Sequence, residues 1–206
     1  GAELLVLLTD TPGLMDADPR FSAEASLIEE IAEVDHELEA LAGGAGTARG
    51  SGGMASKLAA AKMASWSGVR AVIAAAGRSG VLDDAIAGRA GVGTVVLPRA
   101  RRLSARKLWI AFALPSRGRI VIDDGAVRAV AAGGRSLLAA GVTGVHGDFD
   151  ADDAVEVVGA DGTVVAKGLV RLGATTLRSR AGRRSADLVD GAGEVVHADD
   201  LVVLPA

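Results

Sequence analysis

Three short apolar runs constrain the fold most: residues 2–8 (AELLVLL), 69–75 (VRAVIAA) and 93–97 (GTVVL). Each is bounded by turn-forming residues, and short continuous runs of this kind suit strands buried on both faces. The alanine-rich stretch 54–67 precedes the second run and reads as a helix. Residues 81–87 (VLDDAIA) precede the third and read as a shorter helix with Leu82 and Ile86 turned inward. Strand, helix, strand, helix, strand at this spacing predicts an α/β unit with a parallel sheet. Half the residues are hydrophobic but only 2% are aromatic, so the core must be aliphatic.

The rest of the chain sorts around that pattern. Residues 27–31 read as a short strand or helical turn. Residues 35–41 read as a helix with Leu38 and Leu41 on one face, ended by Gly43 in the usual glycine manner. Residues 104–113 read as a helix capped by Ser104. Beyond Pro115 the pattern changes to short strands at 119–123, 143–146, 154–158, 164–170 and 194–196, with short helices at 127–132 and 175–180. Asp161-Gly162 between two strands is a hairpin signal. Two domains are expected, 1–115 and a mainly β domain at 116–206.

Composition excludes several classes. With no cysteine there is no disulfide framework and no thiolate metal site, and the three histidines lack ligand spacing. The longest apolar run, residues 108–115, is far below a membrane span, and no signal-like segment opens the chain. A soluble cytoplasmic protein is the expectation. A buried-type strand begins almost at residue 1 without an initiator methionine, which points to a fragment or a processed piece.

The stretch 43–57 (GGAGTARGSGGMASK) carries the chemistry. Glycines let the backbone approach a ligand closely. The helix start that follows offers free N–H groups and a dipole end that favour an anion. Lys57 sits one turn into that helix. Loop, helix start and lysine together suit a polyphosphate, although Leu58 after the lysine departs from a P-loop. A flexible linker ahead of an ordinary helix fits the same residues. Thr9-Asp10, just past the first strand, stand where α/β folds place ligands, and a turn cap is the other reading. Arg171, Arg178, Arg180, Arg183 and Arg184 form one basic cluster, which suits either phosphate contacts or a solvated face on a chain of net charge −4.

Taken together, TDTPGLMDADPR at 9–20, GSGGMASKLAAA at 50–61, LSARKLWIAFAL at 103–114, GRSLLAAGVTGVHGDF at 134–149 and LRSRAGRRS at 177–185 resemble the bacterial glutamate 5-kinases of the amino-acid kinase family, with their appended PUA domain. The resemblance implies the C-terminal, nucleotide-side part of a parallel-sheet kinase domain followed by a PUA-like domain. It implies transfer of the ATP γ-phosphoryl group, with Mg²⁺, to the side-chain carboxylate of L-glutamate, the first step of proline biosynthesis. Carried over, Thr9, Asp10, Ser51, Gly52, Gly53, Met54, Ala55, Ser56 and Lys57 hold ATP, and Lys57 is the catalytic cation. The family's first phosphate loop, second lysine and glutamate-binding residues have no counterpart in the 206 residues, so the chain alone is expected to be inactive. A homo-oligomer is implied, as is RNA as a partner of the PUA-like domain. Another acceptor within the family, or an RNA-binding or regulatory module, are the competing readings. Met15 and Leu172 stand where the family commonly has tyrosine, and Asp152 where it commonly has glycine.

Overall fold

The computed structural model describes residues 1–17, 22, 24–43, 53–188 and 193–204. The chain divides into two compact units, Gly1–Leu103 and Ser104–Ala206. The division falls before the expected change at Pro115, because residues 105–113 pack on strands of the second unit.

In the first unit, β1 (Leu4–Thr9), β2 (Glu30–Ile31), α1 (His36–Ala42), α2 (Met54–Trp66), β3 (Arg70–Ala75), α3 (Val81–Ala87) and β4 (Thr94–Val96) follow in order. The sheet order is β1-β3-β4-β2. β1 and β3 are parallel, as the pattern predicts, with Leu4 opposite Arg70 and Thr9 opposite Ala75. β4, however, runs antiparallel to β3. A parallel crossover must carry the chain back along the whole strand. The seven residues of α3 span only about 10 Å against about 20 Å for β3. The chain therefore turns round at the carboxyl end of β3. Gly93 makes this turn possible, since a Cβ there would lie 2.2 Å from the Ile73 carbonyl oxygen.

Alternation along β1 and β3 splits the core in two. Leu5, Leu7, Ala71 and Ile73 meet Leu58 and Ala61 of α2. Leu4, Val6, Val72 and Ala74 meet Val81 and Ala85 of α3. The small Ala85 lets α3 lie flat on the sheet, which turns Leu82 and Ile86 outward at 52% and 70% exposure, contrary to expectation. Asp35 caps α1 by accepting a bond from Leu38 N. Gly43 ends that helix in the right-handed region (φ −77°), not in the left-handed conformation typical of a glycine stop.

In the second unit, α4 (Ala105–Leu108) is capped by Ser104 and widens into a π-helical turn at Trp109–Ala113, so the expected single helix is split. There follow β5 (Gly118–Ile122), α5 (Asp124–Ala131), β6 (Leu137–Leu138), β7 (Val142–Gly147), β8 (Ala154–Val158), β9 (Val164–Val170), α6 (Ala174–Arg180) and β10 (Glu194–Val203). They build a six-stranded sheet, β6-β10-β9-β8-β5-β7, around a core that includes Ile120, Ile122, Val157 and Leu177. β10 is far longer than the three residues expected. Asp161-Gly162 does turn the β8–β9 hairpin, with Gly162 at φ +86°. No helix among the described residues is long and apolar enough to cross a membrane.

Candidate nucleotide site

The carboxyl end of β1 carries the first site residues. Thr9 is the last residue of the strand, and its carbonyl accepts a 2.7 Å bond from Ala76 N just past β3. Its hydroxyl donates to Asp10 Oδ1 at 3.1 Å, while Asp10 itself is exposed. The chain then turns through residues 11–13, where Thr11 Oγ1 donates to the Gly13 carbonyl at 3.1 Å.

The second group lies at the start of α2. Leu58, Ala61 and Ser65 form a buried stripe at helical spacing, which lays the helix along the sheet. Three residues separate the end of α2 from β3, so its C-terminus lies at the amino edge of the sheet. Thirteen helical residues run about 20 Å, the length of a six-residue strand. The N-terminus of α2 therefore comes to the carboxyl edge, the edge that bears Thr9 and Asp10. Gly53 is the N-cap, with an extended backbone (φ −64°, ψ −178°) and no side-chain cap bond. Its carbonyl accepts from Ser56 N at 3.2 Å, Ser56 Oγ at 2.8 Å and Lys57 N at 3.4 Å. Among the described residues, a Cβ on Gly53 would meet nothing within 4 Å. Met54 packs into the core cluster, Ala55 and Ser56 are exposed, and Lys57 is half-buried. Ser51 and Gly52 lie outside the described residues.

α1 has Glu37 and Glu39 in its first turn, α3 has Asp83 and Asp84, and α5 has Asp124. α2 has no acidic residue there. Its positive dipole end therefore lacks side-chain carboxylates, as do those of α4 and α6. It differs from that of α6, which is also entered from a glycine, in standing at the edge that bears Thr9 and Asp10. The arrangement suits a bound anion. Among the described residues no group of three or more His, Asp or Glu could hold a metal.

The second unit offers less. A cleft of about 630 Å³ lies along β5, β7 and β8, and its Arg119 and Glu156 already pair at 3.1 Å. Of the arginine cluster, Arg171 approaches Glu194 and Asp200 at 3.7 and 3.8 Å. Arg178 donates to the Gly147 carbonyl at 2.5 Å. One residue near the candidate site gives little sequence signal: Thr94, the hydroxyl within an otherwise apolar strand, is fully buried against the loop after β1.

Residues 1–75 match the Amino acid kinase family and residues 118–191 match the PUA domain. The chain is 44% identical to a glutamate 5-kinase of Shewanella amazonensis, over 98% of this chain and 55% of that protein. It is 45% identical to a glutamate 5-kinase of Nocardia farcinica, over 98% of this chain and 54% of that one. The chain thus spans about half the length of the curated relatives it matches. Among solved structures, a PUA domain from Aeropyrum pernix K1 is similar at 29% identity over 45% of this chain and 50% of that chain, with a TM-score of 0.32.

Proposed function

Because this chain is a homologue of the glutamate 5-kinases along almost its whole length, carrying part of an amino acid kinase domain and then a PUA domain, we propose that it is the nucleotide-binding part of such a kinase. The reaction is attack of the glutamate side-chain carboxylate on the γ-phosphorus of ATP, with release of ADP. The observation that carries this reading is the glycine-entered, acid-free start of α2 at the edge that bears Thr9 and Asp10.

The residues fit the nucleotide. Among the described residues nothing crowds Gly53, which suits phosphate oxygens beside the helix start. Lys57 supplies a cation one turn in, where charge spreads over the transferring group. Thr9 orients the Asp10 carboxylate by the bond from its hydroxyl. Mg²⁺, when bound, neutralises the phosphates. This ion is commonly held by phosphate oxygens, water and one or two carboxylates, and the exposed Asp10 is the carboxylate at this edge that could serve. Residues outside these 206 hold the acceptor, so this polypeptide alone is inactive.

The test is made on the full reading frame. ADP release is followed with and without L-glutamate, with product trapped as the hydroxamate, and Lys57→Ala is run beside it. Glutamate-dependent release that falls about 10²–10³-fold in the variant supports the reading. Release indifferent to glutamate removes the substrate, and an unimpaired variant removes Lys57 from the site.

A further inference from the structure

The loop after β1 is tied at both ends, and its second tie is a side chain that the nucleotide reading does not use. Thr94 opens β4 and is 0% exposed. Its Oγ1 accepts a 2.8 Å bond from Leu14 N, and it donates back to the Leu14 carbonyl at a longer 3.5 Å. That carbonyl also accepts Ile28 N at 2.9 Å. Leu14 is 2% exposed and belongs to the core beneath α2.

Packing at this tie is tight. A Cβ on Gly13 would stand 2.6 Å from Thr94 Oγ1 and 2.8 Å from Thr94 N. Gly93, one residue earlier, lies close against β3, and the ladder between β3 and β4 holds Thr94 opposite Ile73. Residues 9–14 are thus strung between β1 and Thr94, with Asp10 on the span.

A buried hydroxyl in a strand is unfavourable unless it is hydrogen-bonded. Valine would fill the same space, as it does at the next two positions of β4. We infer that Thr94 is a positioning residue: its hydroxyl fixes the loop that presents Asp10 to the nucleotide. The inference rests on the proposed nucleotide reading of that loop. Thr94 is enclosed, so it acts through Leu14 and touches no ligand itself.

Thr94→Val and Thr94→Ser in the full-length enzyme test this. Valine keeps the volume and leaves the buried Leu14 N–H without its acceptor, while serine keeps the oxygen. The expected result for valine is a KM for ATP raised about tenfold, with KM for glutamate unchanged and kcat within about threefold, and serine close to wild type. A structural role alone would lower Tm and reduce active protein without separating the two KM values. Equal impairment by valine and serine, an unchanged KM for ATP, or parallel change in both KM values overturns the inference. If the valine variant does not fold, Gly13→Ala, whose Cβ would press on Thr94 Oγ1 and displace the same loop, is used instead, and the same ATP-selective change is required of it. Lys57→Ala separates the two layers. If it is impaired while Thr94→Val is not, only the positioning inference falls. If it is unimpaired, the nucleotide reading falls and takes this inference with it.

Discussion

Asp152 holds φ at +70°, the one described non-glycine residue in the left-handed region. Its backbone cannot relax, because Asp152 N donates to the Val170 carbonyl at 2.7 Å and Asp153 N to the Asp150 carbonyl at 3.2 Å. For a residue with a Cβ this conformation costs about 1–2 kcal/mol, with aspartate at the low end. Glycine removes that cost but loses about 0.5–1 kcal/mol through greater unfolded-state freedom. Three neighbouring carboxylates, Asp148, Asp150 and Asp153, add a small, screened repulsion that the change also relieves. The attraction of Asp152 for Arg106 is lost, but Arg106 keeps Asp200 at 2.5 Å. The net expectation for Asp152→Gly is a gain of up to about 0.5 kcal/mol. For a unit of this size that raises Tm by up to about 4 °C. Asp152→Ala keeps the Cβ and gives up the local bonding of a carboxylate, so it should fall below wild type. Calorimetric scans of the 206-residue chain read both variants, and only the second unit's transition should move. If glycine is no better than alanine, the backbone conformation at residue 152 is not what limits stability, and the reasoning fails.

The remaining predictions follow from single contacts. Gly93→Ala forces a Cβ against the Ile73 carbonyl oxygen and the Ala74 side chain, backbone that cannot yield. A loss of about 3 kcal/mol or more is expected in urea unfolding of the first unit. Asp161 sits below its usual 3.8 because Thr163 N and then the Thr163 hydroxyl, each at 2.9 Å, bond its ionised form. A depressed carboxylate stabilises above its unfolded value and loses that contribution as pH falls through the folded one. Urea midpoints of wild type and Asp161→Asn should therefore differ less below pH 3.8 than at neutral pH, and a constant difference would refute the linkage. Lys167 is lowered from 10.5, chiefly by burial, while it donates to the Ala111 and Leu114 carbonyls. The unfolded chain then binds more protons just below 10.5, so stability should rise with pH there relative to Lys167→Met.

What the sequence makes legible follows from how local each signal is. The short apolar runs, the Ser104 cap and the Asp161-Gly162 turn depend on neighbours within a few residues, and these elements lie close to where they were expected. The direction of β4 does not. It depends on whether α3 is long enough to span the sheet and on Gly93 meeting Ile73 across the turn. The orientation of α3 fails for a related reason: hydrophobicity favours Leu82 and Ile86 as the inward pair, but closeness to Val72 and Ala74 rewards the smaller Ala85.

The candidate site shows the same division. Glycines, helix start and lysine are contiguous in sequence, so their chemistry can be read from the letters alone. That Thr9 and Asp10 share an edge with them requires the parallel β1–β3 pairing and a helix as long as the strands. The tie at Thr94 joins residues eighty positions apart. In the sequence it is only a threonine in an apolar run, where its β-branched shape already suits a strand. Its hydroxyl acquires a purpose once burial removes water and leaves Leu14 N as its donor. Local chemistry thus points to the start of α2 as the proposed anion site, while the placement of the opposing loop is a property of the fold.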